Sequence, residues 1–306
     1  MRRIVLSLSM VLSSTVVLSS CSRSEAPTQR SFATPDSAAT ALARAVITND
    51  TTVLLAIMGP DSRPLILPTD QVQAEHDRQV VATALTERWW LEDGEDGSKV
   101  LVIGNESWPF PIPIVHEKDG WRFNTAAAKD ELLFRRVGRN EMAVMDVADA
   151  FVAAQHEYAS KGRDGHPAGI YAQRFVSDDA RHNGLYWPVS NADPTPSPMG
   201  QLAAQAAADG YRRTDAKRFP YHGYFFKVLT AQGASAPGRA RSYIVDGAMR
   251  GGFAMIAWPA DYGESGVMTF IIGKDGVLHE KDLGPETGTL APAIEAFDPD
   301  SSWSTP

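Results

Sequence analysis

The chain is poor in cysteine: its 306 residues contain one, Cys21. An internal disulfide is excluded, and so are metal sites built from several thiolates. Long apolar runs are missing as well. The best, residues 4–18, falls short of the roughly 20 residues a membrane-spanning helix requires. No basic stripe stands out, and Lys and Arg number 29 against 37 Asp and Glu, a formal charge of −8. That balance argues against nucleic acid as a partner. Chemical motifs are equally scarce. There is no H-E-x-x-H, G-x-G-x-x-G or P-loop pattern. The nearest approach to the G-x-S-x-G nucleophile elbow, residues 263–267, places Gly266 directly after Ser265 and Val267 where the second glycine belongs.

What is present at the N-terminus reads as an export signal. Arg2 and Arg3 supply the positive end, residues 4–18 the apolar stretch, and Leu18-Ser19-Ser20-Cys21 resembles the lipobox of bacterial lipoproteins. Residues 1–20 are expected to be removed as a signal peptide, leaving a lipid on the Cys21 sulfur. Two or more acyl chains anchor stably without a transmembrane helix. The expected address is the cell envelope, with the membrane as partner through that lipid. Ser22 in place of Asp points to the outer membrane, facing the periplasm. Residues 21–33 read as a lipidated polar tether.

The remainder reads as α+β in two halves. In residues 34–137, Thr34-Pro35-Asp36 marks a helix start running to about residue 48. A short helix follows at 51–58, ending at Gly59-Pro60, then another over 71–90. Strand-like runs at 99–103 and 112–116 and a turn at Lys118-Asp119-Gly120 lead to a helix at 126–136. Helices before a small curved hairpin sheet are similar in order to the cone-shaped nuclear-transport-factor-2 type of domain. Gly138 separates the halves, and Asn140 is expected to cap a second helix over 141–160. In 138–306 that helix precedes a Gly- and Pro-rich stretch, 162–220, holding one alanine-rich helix at 200–210. Strands follow at 224–231, 242–245, 252–258, 267–272 and 277–281. Long helix, irregular loop, antiparallel meander: the order resembles a pilin head.

Several motifs together resemble the bacterial domain-of-unknown-function 2950 family. They include Asn105-Glu106-Ser107-Trp108-Pro109-Phe110-Pro111, Asp119-Gly120-Trp121-Arg122-Phe123, Gly138-Arg139-Asn140-Glu141 and Tyr171-Ala172-Gln173-Arg174-Phe175. Gly184-Leu185-Tyr186-Trp187-Pro188, Tyr221-His222-Gly223-Tyr224, Ala257-Trp258-Pro259, Tyr262-Gly263 and Phe297-Asp298-Pro299-Asp300 continue the match. The resemblance spans about residues 32–303. It implies an exported or envelope protein and supplies no catalytic residue, because the family has no established activity. Members often carry an Asp-rich turn after the second-half helix; here it reads Lys161-Gly162-Arg163-Asp164-Gly165-His166, too few oxygen ligands for calcium.

Candidate chemistry is thin, and no catalytic residue, metal or cofactor is expected. The seven histidines are scattered, with His166, His182 and His222 able to meet Asp164 only through the long loop. The carboxylate pairs Asp178-Asp179, Asp298 with Asp300, and Glu92-Asp93 with Glu95-Asp96 sit in turns. Three tryptophans stand directly before proline: Trp108, Trp187 and Trp258. In extended backbone they can plug loops onto a sheet, the preferred reading, or with Tyr262 line a groove for a ligand. The expected function is a non-catalytic binding or assembly factor that meets another envelope protein. A periplasmic enzyme, or a small-molecule carrier using a cavity in the first half, is the alternative.

Overall fold

The computed structural model describes residues 29–209, 211 and 220–306. The expected signal peptide and Cys21 lie outside the described residues. The expected tether is shorter than residue 33, because the chain docks from Gln29 onward. Gln29 Nε2 donates to the carbonyls of Ile57 at 2.9 Å and Phe123 at 2.7 Å. Phe32 is buried and bridges to Trp121, so an apolar side chain holds the segment down.

Helix α1 (Pro35–Ile47) starts at the expected Thr34, in a capping box with Ser37. Asp50 caps α2 (Thr51–Met58), which ends at Gly59 with φ +86°. A tight turn at Pro60–Ser62 and a four-residue α3 (Arg63–Ile66) lead to α4 (Gln71–Glu87), capped by Asp70. The helix expected to run to Trp90 stops at Glu87. Arg88 is extended, and Trp89–Asp93 forms β1, antiparallel to β2 (Lys99–Ile103) with Trp89 opposite Ile103. Tryptophan and β-branched residues favour that pleated surface over a last helical turn. β3 (Trp108–Pro109) pairs with β2, followed by β4 (Ile114–Glu117) and β5 (Gly120–Phe123), in the order β1-β2-β4-β5.

The expected break at Gly138 is absent. Helix α5 (Thr125–Ser160) runs unbroken for 36 residues, about 54 Å at 1.5 Å per residue. A helical glycine costs only about 1 kcal/mol against alanine, and bonds on both sides of Gly138 outweigh that. Arg136 and Arg139 reach the first half. Asn140 is no cap: it is buried in the helix and donates Nδ2 to the Ser265 carbonyl at 2.8 Å. The halves therefore share one helix while keeping separate cores.

The second half contains α6 (Gly200–Ala208), β6 (Tyr224–Leu229), β7 (Ala231–Gln232), β8 (Arg241–Ser242), β9 (Ile244–Val245) and β10 (Ala248–Met249). Then come β11 (Ala254–Pro259), β12 (Met268–Gly273), β13 (Leu278–Asp282), α7 (Thr287–Ala293) and β14 (Ala296–Phe297). The main sheet is antiparallel, ordered β13-β12-β11-β6. Every residue of β11 is buried, so both faces of the sheet are covered. Sequence patterning did not show α7, which contains Pro292. The fold class is α+β. No helix among the described residues is long and apolar enough to cross a membrane.

Candidate functional site

The first half is not filled. A cavity of about 550 Å³ opens between its helices and the edge of its sheet. Leu42 and Val46 of α1, Leu54 and Met58 of α2, Leu65 and Ile66 of α3, Val80 and Val81 of α4, and Leu132 of α5 give it an apolar wall. Phe110, Pro111 and Ile112 close the sheet side, and Trp108 stands 44 % exposed among the lining residues. Edge-to-face contacts run from Trp108 to Phe110 and from Phe110 to the core residue Phe123, each 6.4 Å between centroids. The lining of α4 explains why only Ala74 and Leu85 of its 17 residues are buried. Its inner side borders open space.

The charged lining consists of Asp77 and four arginines, 78, 135, 136 and 139. Arg139 pairs with Asp77 at 3.0 Å and Arg135 with Glu131 at 2.7 Å. Arg78 donates to Asn49 Oδ1 at 2.8 Å and to the Ile66 carbonyl at 3.0 Å. Arg136 donates to the carbonyls of Pro64 at 2.6 Å and Leu65 at 3.0 Å. Between them they satisfy the C-terminal carbonyls of α3, which such a short helix leaves without partners. Burial lowers the affinity of both guanidiniums for their proton, opposed by nearby carboxylates, Glu75 for Arg78 and Asp77 for both. Sequence reasoning passed over these arginines. Their one signal is Arg135, Arg136 and Arg139 at helical spacing beside Leu132, an apolar-basic edge too short to read as a nucleic-acid stripe.

A polar network leads from the mouth to the joint between the halves. Asp77 accepts from Gln73 Nε2 at 2.9 Å, and Gln73 Oε1 lies 3.0 Å from His222 Nδ1. With the Gln73 amide so oriented, the neutral imidazole carries its proton on Nδ1. Burial, first of all, pulls His222 below the usual imidazole range, against the pull of Asp209 and Asp70. Next to it the buried Asp70 accepts from Gln73 N, Tyr211 Oη and Gly223 N at 3.1, 2.7 and 2.8 Å. Gly223, at φ +72°, leaves 2.5 Å between a would-be Cβ and Asn140 Nδ2. On α5, Glu141 accepts from the amides of Val267 and Met268 at 2.9 and 3.0 Å. Thus Gly138-Arg139-Asn140-Glu141, Tyr221-His222-Gly223-Tyr224 and Tyr262-Gly263 with the turn after it converge on one joint.

The four expected groove residues separate. Trp187 and Trp258 are 3 % and 4 % exposed in the second-half core. Trp187 donates Nε1 to the Thr195 carbonyl at 2.9 Å and is stacked by His182 at 4.1 Å, with Arg163 also over its ring. Trp258 packs on Phe225. Tyr262 donates to Asp282 at 3.1 Å. Trp108 alone of the four lines the cavity. Ser265 Oγ is buried and bonded to the Asp261 backbone. Asp178 accepts from Arg174 and Asn183, and Asp298 from Ser235 N. No group of three or more potential metal ligands occurs among the described residues.

The fold and site together define an α+β protein whose halves keep separate cores and whose first half holds an apolar, arginine-edged cavity. The chain belongs to the family described as "Protein of unknown function (DUF2950)", whose family model matches residues 29–305. No curated protein and no solved structure matches it, so the likeness to cone-shaped domains and pilin heads remains one of element order.

Proposed function

We propose that this protein is a lipid-anchored binding protein of the bacterial envelope, whose first half holds a small molecule with an apolar body. The observation that carries this is the open cavity of about 550 Å³ with its apolar wall. Ligand pockets fall at about 300–1,000 Å³ and are lined in this way, with a few placed polar groups. The charged groups on the wall are each bonded to the protein, which favours holding a molecule over transforming it. The anchor reading rests on the lipobox-like Leu18-Ser19-Ser20-Cys21. With the body docked from Gln29, the eight residue steps from Cys21 set its distance from the lipid, at most about 29 Å. The cavity and any envelope partner then lie next to one membrane face.

Titration with the neutral fluorophore N-phenylnaphthylamine tests the binding reading. One probe should bind per chain, and Val81→Trp, which puts an indole into the cavity, should weaken it. Absence of saturable binding contradicts the proposal. Cys21→Ser should move the protein from the membrane to the soluble fraction; continued membrane association contradicts the anchor.

A further inference from the structure

The cavity wall is apolar, yet it concentrates positive charge in a chain of net charge −8. Four arginines face one aspartate there. Two are neutralised by carboxylates, Arg139 by Asp77 and Arg135 by Glu131. Arg78 and Arg136 meet no carboxylate within 4.0 Å among the described residues. Their recorded partners are an amide oxygen and main-chain carbonyls. A guanidinium has five N–H donors, so the hold on α3 leaves each with donors to offer. We infer that the cavity takes a single-chain amphiphilic anion, its hydrocarbon tail against the apolar wall and its carboxylate or phosphate at Arg78 and Arg136.

This rests on the cavity being a ligand site and adds the chemistry of the ligand. A wholly apolar occupant would strip water from two cations and return nothing. A cationic amphiphile would meet like charge. An anionic head forms charge-assisted, bidentate bonds with guanidinium while its tail displaces water from the wall.

The test is displacement of the neutral fluorophore from the full-length Cys21→Ser chain, so that no covalent lipid competes. Dodecanoate, dodecyl phosphate, dodecanol and dodecyltrimethylammonium serve as a set matched in tail length. Both anions should displace the probe at about tenfold lower concentration than the alcohol, and the cation should be weakest. Added salt should shrink that gap. The better of the two anions tells a carboxylate source, a fatty acid, from a phosphate source, a lysophospholipid. Arg78→Gln and Arg136→Gln should each remove most of the preference, read within each variant as the ratio of the dodecanol to the dodecanoate concentration that displaces the probe. Arg136→Lys, which keeps the charge, should retain part of it. Equal displacement by dodecanol and dodecanoate, with the probe still bound, overturns the inference and leaves the binding function standing. Loss of probe and anion together in both Gln variants assigns the arginines to the wall alone and also overturns it. Failure of the wild type to bind the probe defeats the underlying proposal.

Discussion

Both halves lay helices on an antiparallel sheet, and they use apolar side chains in different ways. In the second half, Phe151, Phe253, Leu185 and Trp187 fill the space between α5, the long loop and the sheet. Phe151 and Phe253 meet edge-to-face at 5.7 Å. The loop itself is pinned by the buried Gln155, which exchanges hydrogen bonds with both the amide and the carbonyl of Ala172. In the first half, α1 buries mostly small residues, Ala38, Ala39, Ala43 and Ala45, beside Leu42 and Val46. The space left over is the cavity. One sheet is covered on both faces and the other borders an opening, so the same layer architecture yields a rigid body and a container. The residues at the joint hold the two in one frame.

The sharpest contrast is among the three Trp-Pro tryptophans. Trp187→Ala and Trp258→Ala should each cost about 3–5 kcal/mol in urea unfolding, the usual loss for a buried tryptophan. Trp108→Ala should cost under about 1 kcal/mol and weaken probe binding instead. Equal costs at all three would erase the distinction between a filled and an open half.

Next in size is the joint. Glu141→Ala leaves the amides of Val267 and Met268 without their acceptor, at about 3 kcal/mol. Glu141→Gln, which keeps an acceptor oxygen, should cost about 1 kcal/mol. A smaller effect separates the cores by overpacking. Ala254→Leu, in the middle of the second-half core, should cost about 1–3 kcal/mol. Val81→Phe, pointing into open space, should stay within about 0.5 kcal/mol of the wild type.

The smallest effect is pH dependence at the joint. Burial depresses the His222 value in the folded chain. Its share of the stability is therefore complete above the free imidazole value of about 6.5 and is lost as pH falls through the folded value. His222→Asn tolerates the φ of +47° at this position. Thermal melts from pH 7 to 5 should show a shallower decline for this variant than for the wild type; parallel curves would remove His222 from the account.

Much of the fold was legible because local chemistry set it. Thr34 caps its helix from neighbouring sequence, and the strand patterns of residues 99–103 and 267–272 follow burial on the sheet. Where tertiary bonds decided, the sequence was a weaker guide. Gly138 marks a helix end by composition, and Arg139, Asn140 and Glu141 override it by gripping partners 62, 125 and 126 positions away. The site was the least legible part. Leu42, Met58, Val81, Ile112 and Leu132 read as ordinary core residues, since each is apolar in an apolar pattern. A cavity is the absence of the side chain that would have met them, and that absence belongs to no single residue.

Hydrogen–deuterium exchange with and without saturating N-phenylnaphthylamine tests the division between container and body most directly. Exchange should slow in α1, α2, α4 and residues 108–112, with β6, β11 and β12 unchanged. Protection centred on β6, β11 and β12, or none in the first half despite saturable binding, would contradict it.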